Sequence, residues 1–193
     1  MHFYGIYDEE FIRGKVPMTK REVRMMVMAQ AQIQSGDVVV DIGAGTGSLS
    51  IEAAFEAQTV YAVERNEEAV ELIAKNREKF GLSNIHIIKA KAPEGLDVIE
   101  KANVILIGGS GGKLPEILDE AERMLPAWGR IVITAVTVET MNQALQELRK
   151  RPFVYEGFQM QVNRMRKAGP YHLYDPLSPI GIITAVKQKQ EGK

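Results

Sequence analysis

The chain contains no cysteine, which excludes disulfide frameworks, thiolate metal sites and cysteine nucleophiles. Histidine is nearly as scarce, present only at positions 2, 86 and 172; a metal site would need mostly carboxylates, and none is expected. No apolar stretch approaches the ~18 residues of a membrane span, and residues 1–20 lack the basic-then-apolar order of a signal peptide. No sign of charge dominates: 24 Lys and Arg face 25 Asp and Glu, so no general attraction to nucleic-acid phosphates is built in. Internal repeats, low-complexity tracts and linkers are missing as well. What remains in 193 residues, 45% apolar and 25% charged, is ordinary globular composition with room for one domain. The expectation is a single cytoplasmic domain over 1–193. It has an N-terminal segment and helix at 1–36, a sheet with its helices at 37–187, and a frayed polar tail at 188–193.

Short β-branched runs at 37–42, 59–64, 85–88, 103–107 and 130–136 read as strands buried on both faces. Helical patterns lie between them. Asn66 can cap one helix, with Glu67 and Glu68 in its first turn and Gly81 past its end. Leu114, Ile117, Leu118, Ala121, Met124 and Leu125 keep helical spacing up to Pro126; Met141, Leu145 and Leu148 mark another helix before Pro152. Repeated βα units imply a parallel sheet with helices on both faces. After Pro152 the alternation stops. Residues 153–165 and 180–187 read as two strands joined through Gly169-Pro170 and 176–179, with no helix between them. The fold class is therefore α/β, doubly wound and Rossmann-like, with a mostly parallel seven-stranded sheet ending in an antiparallel pair. Upstream, Thr19-Lys20-Arg21-Glu22 reads as a capping box, followed by Val23, Met26 and Val27 on one helix face. Met18, Met25, Met26 and Met28 read as core or subunit interface, and His86 as a structural strand residue.

Asp41-Ile42-Gly43-Ala44-Gly45-Thr46-Gly47-Ser48 follows a strand and opens a helix, the context of a nucleotide-binding turn. The dinucleotide fingerprint G-x-G-x-x-G needs its last glycine at position 48, where this chain has serine. The spacing G-x-G-x-G, with Asp41 two residues ahead, instead resembles the S-adenosylmethionine-binding turn of class I methyltransferases. Glu64 ends the second strand, where a carboxylate can accept both ribose hydroxyl hydrogens. Alone it would read as a helix-flanking surface acid; in register with the turn it reads as a cofactor ligand.

Gly108-Gly109-Ser110-Gly111-Gly112 follows the fourth strand, on the side of the sheet where ligands of open α/β folds bind. Its free N–H groups could hold substrate carboxylates. No Asn/Asp-Pro-Pro-aromatic tetrapeptide occurs there, although many amino-group methyltransferases carry one.

Three stretches together make the resemblance specific: Asp8-Glu9-Glu10-Phe11-Ile12 with Pro17-Met18-Thr19, the 41–47 turn, and Ile107 with the glycine cluster. Across nearly its whole length the chain resembles the cobalt-precorrin carbon-15 methyltransferase (decarboxylating) family of cobalamin biosynthesis. The resemblance implies S-adenosylmethionine as cofactor, a tetrapyrrole substrate whose ring acetate is decarboxylated as the macrocycle is methylated, and a homotetramer without nucleic-acid or membrane partners. It implies cofactor contacts at Thr19, Asp41, Gly43, Ala44, Gly45, Thr46, Gly47, Glu64 and Ala92. The substrate would meet Gly108, Gly109, Ser110, Gly111 and Gly112. Arg164 and Arg166 would supply cations for its carboxylates, and His172, read here as a late-loop residue, is a candidate proton donor. Where relatives often have Gly-Asp-Ala-Pro, this chain has Ala90-Lys91-Ala92-Pro93, and Lys91 has only donors to offer an adenine amine. Two other readings compete: an RNA methyltransferase on the same fold, against which the charge balance argues, and a non-catalytic or NAD-binding module, against which Ser48 argues.

Overall fold

The computed structural model describes residues 4–189; His2 and the last residues of the expected frayed tail lie outside them. Seven strands form one sheet in the order β3-β2-β1-β4-β5-β9-β6. They are β1 (Val38–Ile42), β2 (Thr59–Glu64), β3 (Ile85–Lys89), β4 (Val104–Ile107), β5 (Arg130–Ala135), β6 (Phe153–Met160) and β9 (Ile180–Lys187). The neighbours from β3 to β5 pair parallel, and β9 runs antiparallel between β5 and β6.

Period-two side-chain alternation divides these strands between two cores. Val39, Val60, Leu106 and Val132 face one, with α1 (Arg21–Ala31), α2 (Ser48–Ala54) and α3 (Glu67–Lys79). Val40, Val63, Ile105 and Ile131 face the other, with α4 (Leu114–Met124) and α5 (Val138–Leu148). That is why the strands read as continuous apolar runs. The side chain of Asn66 accepts from Ala69 N at 3.0 Å and starts α3 as expected. Met28 is fully buried, Met18 and Met26 pack against the core, and Met25 is exposed. His86 is exposed on edge strand β3, its ring 5.4 Å from that of Tyr61. No helix among the described residues is long and apolar enough to cross a membrane.

The structure corrects two expectations. First, the strand read over 153–165 ends at Met160. A separate two-stranded ribbon follows, β7 (Asn163–Ala168) with β8 (Tyr171–Pro176), turning at Gly169 and closed at its base by Leu177 N donating to Val162 O at 2.8 Å. β7 reads Asn-Arg-Met-Arg-Lys-Ala and every residue of β8 is exposed, so neither lays a buried face on the core. Second, Thr19 and Glu22 form no capping box. Helix α1 begins after Lys20 with no side-chain cap of its own, and Asp8 Oδ1 accepts from Arg21 N at 3.0 Å instead. An acid thirteen residues upstream does the work expected of a local hydroxyl.

Candidate active site

Strand order reverses on the two sides of β1, whose neighbours β2 and β4 send their connections to opposite faces; the crevice at their carboxyl ends is where such sheets bind ligands. A cleft of about 930 Å³ lies there. The volume is near the top of the range for small-molecule sites, roughly 300–1,000 Å³.

The turn after β1 forms its floor. Gly43 N and Ala44 N donate to Val63 O at 2.9 and 3.2 Å, which folds the chain back over β2. Gly43 has φ of +72°, and a Cβ there would lie 2.8 Å from both N and O of Gly109. The two glycine loops are therefore in backbone contact, which side chains would prevent. Glu64, at the end of β2, lies beside the first of them. Its Oε2 accepts from Gly45 N at 3.0 Å, and its Oε1 accepts from Arg65 N and Asn66 N at 2.8 Å each. Oε2 keeps a lone-pair site for a hydroxyl, whereas both sites of Oε1 are engaged by the two amides. Thr46 Oγ1 is buried at the floor without a partner among the described residues. A hydroxyl in that condition fits a polar ligand.

The lining includes Thr19, Gly43, Ala44, Gly45, Thr46, Glu64 and Ala92 from the expected cofactor set, and Gly108, Gly109, Ser110 and Gly111 from the expected substrate set. Asp41, Gly47 and Gly112 are not part of it. Asp41 is fully buried beneath the turn, where Ser50 Oγ donates to its Oδ2 at 2.5 Å, so its place is support rather than contact. Gly47, with φ of +78°, leads into α2 where a Cβ would press on Ile73. The late cations are corrected more sharply. Arg164 is already engaged, donating to Glu22 at 3.0 and 2.5 Å and to Asp8 at 2.9 Å. Arg166, paired with Asp175 at 3.9 Å, and His172 both sit on the exposed ribbon outside the lining.

Sequence reasoning missed the far wall, built from Thr134, Val136 and the Pro176–Ile180 stretch, and the lining cations Lys20 and Arg65, which join Lys91. The proline pair at 176 and 179 was the available signal, read only as a connection. It also missed what holds the near wall. Residues 16–20 belong to an N-terminal strap fixed by a buried polar network. Arg24, fully buried, donates to Asp8 at 2.8 Å, to Glu52 at 3.2 Å and to the carbonyls of Thr19 (2.6 Å) and Ile6. Glu52 accepts from Gly5 N and Ile6 N, each at 3.0 Å. Asn76 bonds both N and O of Ile12 and reaches Thr46 O at 3.0 Å, joining strap to glycine turn.

Burial pushes the Asp41 carboxyl up to about 6; hydrogen bonds from Ser50 oppose that, and the charge of Glu64 adds to it. A carboxyl whose folded value lies above its unfolded one weakens the fold as pH rises from the unfolded value, 3.8, through about 6. That movement corresponds to about 3 kcal/mol. The stability difference between Asp41→Asn and the parent should therefore move by this amount in favour of the variant between pH 3.5 and 7.5. Urea unfolding at the two pH values measures it, and a constant difference would mean that Asp41 does not titrate in this window.

The chain matches the family described as the precorrin methyltransferase domain over residues 10–187. It is 36% identical to the cobalt-precorrin-6B C(15)-methyltransferase (decarboxylating) of Salmonella typhi, over 94% of this chain and 96% of that one. Among solved structures, the precorrin-6Y C5,15-methyltransferase of Geobacter metallireducens superposes with a TM-score of 0.90 at 38% identity, covering 95% of this chain and 97% of that one. The precorrin 8W decarboxylase of Methanobacterium thermoautotrophicum also gives 0.90, at 35% identity, covering 93% of this chain and 98% of that one.

Proposed function

Because this chain belongs to the precorrin methyltransferase family, we propose that it methylates carbon 15 of a precorrin-6B-type macrocycle and removes an acetate carboxyl as carbon dioxide, a step of cobalamin biosynthesis. When bound, S-adenosylmethionine supplies an activated methyl group. The observation that carries the reading is the contact of Gly43 with Gly109 beside Glu64, a cradle that a single Cβ would fill. In it, Glu64 takes the ribose hydroxyls, and the backbone of Gly43, Ala44, Gly45 and Thr46, with the unpartnered Thr46 hydroxyl, takes the amino-acid part. Thr19 and Ala92 close the sides. Lys91, having no acceptor, leaves adenine to backbone groups and apolar packing.

The rest of the cleft, from Gly108–Ser110 to Thr134, Val136 and residues 176–180, takes the macrocycle. Its task is positional, since an activated donor needs a carbon held in line and water kept out. Lys20, Arg65 and Lys91 replace Arg164 and Arg166 as the cations offered to substrate carboxylates. Met165, Tyr171, Leu173 and Tyr174 expose an apolar surface on the ribbon, which supports assembly into a homotetramer; light scattering tests it. The whole chain acts as one methyltransferase domain in the cytoplasm, without nucleic-acid or membrane partners.

Incubation with S-adenosylmethionine and a precorrin-6B-type substrate, followed by mass spectrometry, should show gain of a methyl group and loss of carbon dioxide. Absence of both changes would overturn the proposal. Glu64→Ala should weaken S-adenosylhomocysteine binding by about 1.5–3 kcal/mol, the value of hydrogen bonds to a charged group. Calorimetry on the folded variant decides, and unchanged affinity would remove Glu64 from the ribose site.

A further inference from the structure

We propose that Arg164 is a positioning residue for the cleft, fastening two of its walls to one another; this rests on the reading that the macrocycle binds between them. One wall is the strap, residues 16–20, and the other is 176–180, the segment running from the ribbon into β9. The strap is bracketed by two acids, Asp8 before it and Glu22 just after it. Arg164 bonds both. It stands one residue from the base of the ribbon, opposite Asp175, the residue before the 176–180 wall begins. A single guanidinium thus ties the root of one wall to the acids that precede and follow the other in the chain.

The chemistry suits a fastening role. Hydrogen bonding from Arg164 holds the Glu22 carboxyl below its ordinary value. For Asp8, burial acts to raise the carboxyl, and hydrogen bonds from Arg24 and Arg164 outweigh it. Asp8 divides its oxygens between two duties: Oδ1 accepts from Arg24 and Arg21 N, and Oδ2 accepts from Arg164. The buried network therefore fixes Asp8 in place, and Arg164 transmits that position to the ribbon. The fork of Arg164 meets Glu22 with two nitrogens and Asp8 with one of them, a geometry that a lysine ammonium cannot reproduce. Most of the cofactor half of the cleft is fixed apart from this tie, because Glu64 and Gly45 are held by the sheet and by one another; of the proposed cofactor contacts, Thr19 alone lies on the strap.

The test uses Arg164→Ala, Arg164→Lys, Glu22→Gln and the Glu22→Gln/Arg164→Ala pair in the full chain. Arg164→Ala should raise the KM for the macrocycle about tenfold, since a displacement near 1 Å is enough for such losses. S-adenosylhomocysteine affinity should fall less than this, by about threefold at most, because no bond at Glu64 changes and Thr19 is the one proposed cofactor contact on the strap. Amide hydrogen exchange should quicken at 16–20 and 176–180 together. Arg164→Lys should recover only part of the loss, and the double variant should be no worse than Arg164→Ala alone. Exchange at both walls unchanged in Arg164→Ala overturns the proposal, whether or not KM rises; a rise without it would mean direct contact between Arg164 and substrate. If the unmodified chain does not methylate the precorrin, the proposed reaction fails, and the exchange measurement still decides whether Arg164 joins the walls.

Discussion

Replacing Arg24 by alanine is expected to lower stability by about 3–5 kcal/mol, the range for removing one partner of a buried ion pair. The reason is what stays behind. Glu52 is fully buried and Asp8 is 4% exposed, so both lose their buried cation where water cannot replace it. Two carbonyls, of Ile6 and Thr19, lose their donor in the same change. Arg24→Lys should recover little, because one ammonium cannot meet two carboxylates and two carbonyls placed around a planar fork. The loss should reach the cleft as well. Asp8 starts α1 and Glu52 holds Gly5 and Ile6, so the strap carrying Thr19 would lose its fixed position. Urea titration measures the first effect, and proteolysis within 5–20 measures the second. A stability loss below about 1 kcal/mol would show that the network holds the strap without contributing to the fold.

The parts of the molecule legible in the sequence are those where local pattern and burial agree. β1 and β4 read as strands because both faces are covered, leaving runs such as Val38-Val39-Val40 and Val104-Ile105-Leu106-Ile107 without polar interruption. The glycine turn was legible because its demands are local: φ above zero, and no Cβ where Gly109 approaches. Arg24 was not. A buried arginine in a helix reads like a solvated one until its partners are known, and these come from residues 8 and 52. The same limit hid the cap of α1, where Thr19 and Glu22 satisfied the local pattern and Asp8 satisfied the helix. It also hid the partners of Arg164, whose charge suited a substrate while its hydrogen bonds go to Asp8 and Glu22. The ribbon escaped because the core-facing alternation that marks a strand is missing where strands pair only with each other.

Gly43→Ala is expected to abolish cofactor binding and to lower stability by about 2–5 kcal/mol. Two contributions combine. A residue with a Cβ in the left-handed region costs about 1–2 kcal/mol, and Gly43 sits at φ of +72°. Forcing a methyl into a packed site costs about 1–3 kcal/mol more. Here the new atom would lie 2.8 Å from N and O of Gly109, which are backbone and cannot rotate away as a side chain would. The loops must therefore separate, and the floor of the cleft moves with them, since Gly43 N and Ala44 N hold Val63 O and Glu64 follows directly. Gly109→Ala supplies the contrast. A Cβ there meets nothing within 4 Å, so the fold and the cofactor site should survive it. The added methyl would instead stand in the acceptor region, lowering turnover while leaving S-adenosylhomocysteine affinity near that of the parent. Calorimetry and turnover on the two variants test both halves. If Gly43→Ala binds the cofactor normally, the contact between the loops does not shape the site; if Gly109→Ala loses cofactor binding first, its loop belongs to the cofactor rather than to the acceptor.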